Sequence, residues 1–275
     1  MTRRAATGND RRSTALILAQ CRLPQGCPIP SLVATNGIGQ TSGWLRLLPS
    51  RTPGKRRLAR TLLEHRLPKG ETLVTDRLGL SYRVPDLGEP VAFSLLVDGI
   101  YRRDVLEVVL ELLPEGGTFV DVGANVGAFA LPAACRVGQH GRVVALEPSA
   151  TVFQCLRANA AMNGLSNVSA IEAEIDEVDR LRLDQLLIDA NIRHVDVMRI
   201  DAVGLEAKVV ASAMTLIVRP EPPVFVFEST GHGDAQQFLI EQGYTVWQLG
   251  AYRRRRPPLT VPLTTGATTI IAKRV

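Results

Sequence analysis

The sequence predicts an α/β fold: a doubly wound, mostly parallel seven-stranded sheet with a small N-terminal cap. After Gly116 and Gly117, short apolar runs alternate with stretches of helical periodicity, which is typical of a parallel sheet covered by helices on both faces. The chain has 275 residues, 45% of them hydrophobic, which is enough for a large buried core. Its apolar runs fall short of the roughly 20 residues that a transmembrane helix needs.

The first part of the chain differs from the rest in composition. Residues 1–60 are crowded with Pro, Gly, Arg and Thr and lack sustained periodicity, so we predict a basic, flexible segment in which Pro49–Arg60 forms a linker or tail. Residues 61–115 are predicted to form the cap, with short apolar pieces separated by turn residues and then a lead-in helix over Tyr101–Leu113. Residues 116–275 form the predicted sheet domain.

The periodicity places each element of the sheet domain. The predicted strands are Thr118–Val122, Arg142–Glu147, Val168–Ala173, Val195–Asp201, Pro223–Glu228, Tyr244–Leu249 and Thr268–Ala272. The predicted helices are Val126–Val137, Thr151–Met162, Leu181–Asn191, Gly204–Ile217 and Asp234–Gln242. The last two strands flank a basic, proline-containing loop and are expected to form a hairpin-like edge of the sheet.

Charge is unevenly distributed along the chain. Residues 1–70 contain 13 Lys+Arg and 2 Asp+Glu, whereas the remaining 205 residues contain 19 basic and 25 acidic side chains. The basic N-terminal part is expected to be a solvated tail, although such an arm could contact nucleic acid, anionic lipid or an acidic partner. We predict a cytoplasmic protein, because the apolar stretch Thr14–Cys21 is too short for a signal peptide and no convincing cleavage site follows it.

The segment Phe119–Phe129, FVDVGANVGAF, combines a strand, a glycine-containing loop and a helix start. Ligands of open parallel sheets bind at the carboxyl ends of the strands, so we expect this loop to contact a ligand. A dinucleotide fingerprint needs G-x-G-x-x-G, but this chain has Asn125 and Ala128 at the second and third glycine positions. Asp121 would disfavour a pyrophosphate, whereas it suits a ligand that carries an ammonium group.

The next predicted strand ends at Glu147, twenty residues after Gly127. A carboxylate at this position can accept hydrogen bonds from both hydroxyls of an adenosine ribose. A single Glu at a strand end is a weak signal. The combination of this acid with the preceding glycine loop is far more specific.

From about Gly99 to Arg274 the chain resembles the FkbM-type S-adenosylmethionine-dependent methyltransferases. The resemblance rests on the order and spacing of GIYRRDVLEVVLELLPEGGTFVDVGANVGAF, GRVVALEPS, LRANAAMNGLSNVSAIEA, VDVMRIDAVGLEAKVV, VFVFE and TTIIAKR. It implies a Rossmann-like class I methyltransferase fold whose last strand is antiparallel. It also implies S-adenosylmethionine as cofactor and methyl transfer to a hydroxyl of a small molecule, such as a sugar or polyketide.

The resemblance also implies roles for individual residues. The expected cofactor-binding residues are Asp121, Gly123, Asn125 and Gly127 in the loop, Glu147 at the ribose, and Glu174 or Asp176 beside the adenine. Asp201 and Glu228 end the fourth and fifth strands and would face the substrate. With His232, in the following turn STGHGD, they are the candidate general bases. We expect no metal, since Asp201, Glu206 and Glu228 form no recognisable ligand pattern.

The chain departs from the family pattern at several positions. In the fourth-strand motif, Arg199 replaces a Lys and Val203 replaces a Glu; Arg102 stands where relatives often have a Glu. The stretch after the third strand, Ile175–Arg182, is short. These departures keep open an alternative function, a degenerate methyltransferase fold that acts as a binding module without catalysis.

Two other enzyme classes are disfavoured. Asn125 and Ala128 argue against a nicotinamide dehydrogenase. The basic arm would suit a nucleic-acid methyltransferase, but the fourth strand ends in IDAVG rather than the Asn/Asp-Pro-Pro-aromatic loop that holds a flipped base. We therefore expect a small-molecule hydroxyl acceptor and no specific nucleic-acid partner.

Overall fold

The protein is described by a computed structural model that covers residue 48 and residues 52–63, 65–173, 183–229, 233–263 and 266–275. In chain order the elements are α1 Lys55–Leu63, β1 Thr72–Thr75, β2 Ser81–Val84, α2 Pro90–Asp98, α3 Arg103–Leu112, β3 Thr118–Val122, α4 Ala130–Val137, β4 Arg142–Glu147, α5 Ala150–Met162, β5 Val168–Glu172, α6 Leu183–Asp189, β6 Val197–Ile200, α7 Glu206–Ala211, α8 Met214–Ile217, β7 Val224–Ser229, α9 Asp234–Glu241, β8 Thr245–Gln248, α10 Leu249–Arg253 and β9 Thr268–Lys273.

Seven of the described strands form one sheet in the order β5-β4-β3-β6-β7-β9-β8. Strands β3 to β7 are parallel to one another, and β9 runs antiparallel between β7 and β8. The predicted fold class is confirmed. The expected edge hairpin is corrected in one respect: β9 lies inside the sheet, and β8 forms the edge.

The chain leaves β3 toward β4 and β5 on one side of the sheet, and later returns to β6 and β7 on the other. The connections therefore diverge beside β3, and the crevice that such a divergence leaves is expected at the carboxyl ends of β3, β4 and β6. This is the place at which open α/β sheets bind their ligands. Because β8 is antiparallel to β9, its carboxyl end lies at the same edge of the sheet.

Alternate residues of each strand pack on opposite faces of the sheet, because successive side chains of a strand point in opposite directions. In β3, Phe119 packs with the cap and with α4, whereas Val120 and Val122 pack with α6, α7 and α9. Two buried apolar clusters result, one for each face. This division is what the short, continuously apolar runs of the sequence predict for a doubly wound sheet.

The cap is joined to the sheet domain through two buried asparagines of α5. Asn159 and Asn163 bind the backbone of β2 as a neighbouring strand would. The Asn159 amide accepts from the Arg83 N–H at 2.6 Å and donates to the Arg83 carbonyl, and Asn163 does the same with Ser81. Asn159 also donates to the Val126 carbonyl at 2.9 Å, so one side chain links the hairpin to the loop after β3.

The structure corrects several predicted boundaries. Helix α1 begins at Lys55, inside the stretch predicted as a linker, and α2 forms where turn residues suggested only irregular chain. The helix predicted over Gly204–Ile217 is divided into α7 and α8. At the break, the Ser212 hydroxyl donates to the Val209 carbonyl, a local bond that competes with helical pairing.

A buried ion pair fixes α1 against α2. The Nζ of Lys55 lies 2.8 Å from Asp98 Oδ1 with both side chains fully buried, and the half-exposed Arg56 binds Asp98 Oδ2 at 2.9 Å. Lys55 also donates to the Leu48 carbonyl at 3.0 Å. Burying a lysine in this way is tolerated only because its charge is paired.

Asp98→Asn is expected to lower the free energy of unfolding by about 3–5 kcal/mol, since it leaves Lys55 buried beside a neutral group. Urea denaturation followed by circular dichroism measures this loss. Glu71→Gln is the matched control: it breaks the exposed Arg83–Glu71 pair at 3.3 Å, and we expect about 1 kcal/mol or less. Equal losses in the two variants would contradict the prediction.

Candidate active site

The loop between β3 and α4 has a backbone that requires its glycines. Gly123, Asn125 and Gly127 have φ values of 78°, 51° and 95°. A Cβ atom on Gly123 would lie 2.3 Å from the Asp201 carbonyl oxygen, and one on Gly127 would lie 2.3 Å from Leu131 Cδ1. Any larger residue at either glycine would push the loop away from β6 or from α4.

Glu147 anchors this loop from the end of β4. Its Oε2 accepts from the Asn125 N–H at 2.8 Å, and its Oε1 accepts from the Ser149 N–H at 3.0 Å. The residue is 6% exposed, and burial raises the pKa of its carboxyl, although the two N–H donors partly offset this effect. Each carboxylate oxygen has a second lone pair, so Glu147 retains acceptor capacity for a diol.

A buried arginine joins the ends of β3 and β6. Arg199 Nη1 donates to Asp121 Oδ1 at 2.7 Å, and its Nη2 binds Asp201 Oδ2. The guanidinium stacks on Phe129, with its Cζ 3.9 Å from the ring centroid. Burial by itself would lower the pKa of Arg199, but Asp121 and Asp201 reverse this effect, and the net pKa is raised. The side chain therefore stays charged.

Glu228, at the end of β7, is also paired with an arginine. Arg102 Nη2 lies 2.7 Å from Glu228 Oε1 and 2.8 Å from the Thr269 hydroxyl, and that hydroxyl donates to the same carboxylate oxygen at 2.5 Å. Arg102 has a φ of 42° and directly precedes α3. Arg102 thus supplies the counter-charge of Glu228.

Two further residues complete the edge. Tyr101 packs edge-on against Phe129 with ring centroids 6.1 Å apart, and burial, with Asp201 nearby, raises the pKa of its phenol. Glu206, in the first turn of α7, is 7% exposed and its Oε1 lacks a hydrogen-bond partner among the described residues. Burial, together with the charges of Asp201 and Glu228, raises the pKa of Glu206.

The structure brings most of the predicted site residues to one edge of the sheet: Asp121, Gly123, Asn125, Gly127, Glu147, Asp201 and Glu228. Glu174, Asp176 and His232 lie outside the described residues. Asp121 needs a correction. Its carboxylate is completely buried, and the cation that it faces is Arg199 of the same chain rather than the ammonium group of a ligand.

The sequence did not single out Tyr101, Phe129 or the pairing role of Arg199. Asp121 and Arg199 are 78 positions apart, and their contact follows only from the register of β3 and β6, in which Asp121 is opposite Arg199. A sequence signal did exist: a charged residue inside an otherwise apolar strand, as in VMRID, requires a partner. The sequence gives no indication of which acid would be that partner.

No family model matches the chain. It is 37% identical over 95 residues to the 23S rRNA (uracil(1939)-C(5))-methyltransferase RlmD of Acinetobacter baylyi, which covers 32% of this chain and 20% of the relative. The chain spans a third or less of the length of the curated relatives it matches.

Among solved structures, the chain is similar to a precorrin-6y C5,15-methyltransferase from Geobacter metallireducens, with a TM-score of 0.46 and 20% identity over 64% of this chain and 90% of that one. It is also similar to M. jannaschii TYW2 in complex with AdoMet, with a TM-score of 0.45 and 15% identity over 76% of this chain and 88% of that one. The FkbM resemblance stays a prediction.

One expectation is corrected by these comparisons. The sequence suggested no specific nucleic-acid partner, yet the relative from Acinetobacter baylyi is a methyltransferase of 23S rRNA. The exclusion of nucleic acid is therefore wrong. In the part of the chain that the structure describes, no helix is long and apolar enough to cross a membrane, and no group of His, Cys, Asp and Glu is placed to hold a metal ion.

Glu206→Gln tests the electrostatics of the edge. A carboxyl whose pKa is raised in the folded state favours folding while it is protonated and disfavours it once it ionises, so its contribution is lost as pH rises through the raised pKa. We therefore expect the stability of the variant, relative to the natural chain, to improve steadily from about pH 4 to pH 7.

Urea denaturation at a series of pH values measures this difference. The exposed Glu115, at the opposite edge of the sheet, gives the control Glu115→Gln, whose stability relative to the natural chain should change little with pH. A pH-independent difference for Glu206→Gln would show that the carboxyl of Glu206 is not perturbed by its surroundings.

Proposed function

We propose that the chain is an S-adenosylmethionine-dependent methyltransferase of the FkbM type that methylates a hydroxyl oxygen. The observation that carries the proposal is the unit formed by the glycine loop and Glu147. The loop is held between the ends of β3, β4 and β6, and Glu147 closes it through the Asn125 N–H. Loop and acid lie at the point where the connections of the sheet diverge. A cytoplasmic location stays a prediction from the sequence.

The residues at this edge fit the cofactor. Gly123 and Gly127 bring backbone close to the crevice without side chains, and the remaining lone pairs of Glu147 suit the two hydroxyls of a ribose. Asp121 supports the site indirectly, because it holds Arg199 and thereby the end of β6. We further propose that Glu174 or Asp176 lies beside the adenine of the cofactor.

When bound, the cofactor supplies a methyl group made electrophilic by a positively charged sulfur. The work left to the chain is to position the acceptor oxygen and to remove its proton. We propose that Asp201 removes the proton of the acceptor hydroxyl, since Arg199 holds only Oδ2 of this carboxylate and leaves Oδ1 as the acceptor. Arg199 and Phe129 fix the orientation of this carboxylate. Glu228 and His232 remain the other candidate bases.

The resemblance favours a small-molecule hydroxyl as the acceptor. Beside the rings of Tyr101 and Phe129, the crevice edge offers polar and charged groups: Arg102, Asp201, Glu228 and Thr269. Such a lining suits an acceptor that carries several hydroxyl groups, because each of these side chains can exchange a hydrogen bond with one. An acceptor screen should also contain RNA, as the rRNA-methylating relative requires.

A second candidate function, cofactor or partner binding without catalysis, is favoured by a specific observation. Asp201 and Glu228 are both committed to arginines, and Val203, where the family pattern has a Glu, is 74% exposed and contributes no acid. An arginine that occupies a carboxylate in this way competes with an acceptor hydroxyl for the same group. Methyl transfer to any acceptor would exclude this candidate.

Glu147→Ala is expected to abolish the binding of S-adenosylhomocysteine, because it removes both the ribose acceptor and the contact that holds the Asn125 N–H. Isothermal titration calorimetry measures this loss, with NAD as the parallel ligand and Glu115→Ala, an exposed acid at the other edge, as the control. Micromolar binding by the natural chain supports the proposal. Failure of the folded natural chain to bind would overturn it.

Asp201→Asn is expected to leave the dissociation constant of S-adenosylhomocysteine nearly unchanged and to lower turnover roughly a hundredfold or more, because a neutral amide cannot take the proton. Turnover is measured by mass spectrometry of the methylated product across a panel of sugars, polyketides and RNA. Unchanged turnover would remove Asp201 from the mechanism and direct attention to Glu228 and His232.

A further inference from the structure

A second cavity lies apart from the candidate active site, between α3, the edge strand β8 and α10. Its volume is about 660 Å³, within the range of roughly 300–1,000 Å³ that small-ligand sites occupy. Its walls include Trp247, Tyr252, Arg255, Arg256 and Glu111. We call it the tryptophan–arginine pocket.

One wall of the tryptophan–arginine pocket is aromatic. Trp247 and Tyr252 are both half-buried and meet edge to face, with ring centroids 5.7 Å apart and planes at 72°. Burial raises the pKa of Tyr252, with the charge of Glu111 adding to the effect, so the phenol stays neutral at ordinary pH. Because the two planes are nearly perpendicular, a planar ligand in this pocket can stack on the face of one ring while the other ring packs against its edge.

The rim of the pocket is cationic and its backbone is fixed. Arg253 is anchored to α3, because its Nη2 binds Glu107 Oε2 at 2.8 Å. The turn that follows is held by two backbone bonds, from Arg255 N–H to the Tyr252 carbonyl at 3.0 Å and from Arg256 N–H to the Ala251 carbonyl at 2.9 Å. The exposed guanidinium groups of Arg255 and Arg256 make no hydrogen bond or ion pair to other described residues. They are available to an anion.

The pocket is on the same edge of the sheet as the candidate active site, because α10 directly follows the carboxyl end of β8. Helix α3 joins the two places. Arg102, just before the helix, binds Glu228, and Glu107, one turn further along, binds both Arg103 and Arg253.

We propose that the tryptophan–arginine pocket binds one nucleotide of a single-stranded nucleic acid, with the base stacked on Trp247 beside Tyr252 and the phosphate at Arg255 and Arg256. Stacking platforms combined with cations are how proteins bind such strands. A strand is favoured over a free nucleotide because Arg254, Arg255 and Arg256 form an exposed row, which provides contacts for more than one phosphate.

The test is fluorescence anisotropy of the full chain with fluorescein-labelled 12-nucleotide poly(U) and poly(A), without any methyl donor. The result is therefore independent of the proposed methyltransferase activity. Trp247→Ala is expected to weaken binding about tenfold, whereas Trp247→Phe, which keeps a ring, should retain most of the affinity. Arg255→Ala/Arg256→Ala should weaken binding and reduce its salt dependence by about two counterions.

The matched control removes the same charge elsewhere: Arg142→Ala/Arg193→Ala changes two exposed arginines at the opposite edge of the sheet and should bind within twofold of the natural chain. Equal weakening in both arginine pairs would show nonspecific attraction and overturn the proposal. The proposal would also be overturned if Trp247→Ala left the affinity unchanged or if the full chain did not bind the strands. Tighter binding of duplex RNA, or binding of AMP and UMP as tight as that of the strands, would overturn it as well.

Discussion

The carboxyl edge of the sheet depends on one buried cation. Arg199 is 4% exposed, and its guanidinium is stabilised only because Asp121 and Asp201 lie on either side and Phe129 covers its face. Because an unpaired buried charge is strongly destabilising, these side chains form a unit in which Arg199 depends above all on the fully buried Asp121, whereas Asp201 is partly exposed. The unit holds the end of β6 against the end of β3, and this sets the surface on which the glycine loop lies.

The unit also fixes the backbone of the glycine loop through a chain of contacts. Gly123 contacts the Asp201 carbonyl so closely that no side chain fits between them, and the next turn presents the Asn125 N–H to Glu147. Asn159 then links the same loop to the cap by binding the carbonyl of Val126. The cap, the loop and the two strand ends are therefore one mechanically connected assembly, although they come from distant parts of the sequence.

The sequence predicts the strands better than it predicts the helices. Strands Thr118–Val122 and Arg142–Glu147 have the predicted limits, because strands buried on both faces give continuous apolar runs with sharp ends. Helix α4 starts at Ala130 rather than Val126, so Pro132 falls in the first turn, the part of a helix that best tolerates a missing N–H. Pro90 begins α2, since its fixed φ suits the first helical position. The candidate site was predictable as a loop with an acid; the ion pairs across it depend on register, which a single sequence does not reveal.

The place of β9 in the sheet has a consequence for how the chain assembles during synthesis. β9 is the last of the seven strands to leave the ribosome, yet it lies between β7 and β8 and carries Thr269, which completes the contacts of Arg102 and Glu228. Until it emerges, β7 has a bare edge and β8 has no neighbour, which is a state prone to aggregation. Strand β9 can therefore pair with β7 and β8 only after both have been synthesised, and its pairing completes the sheet.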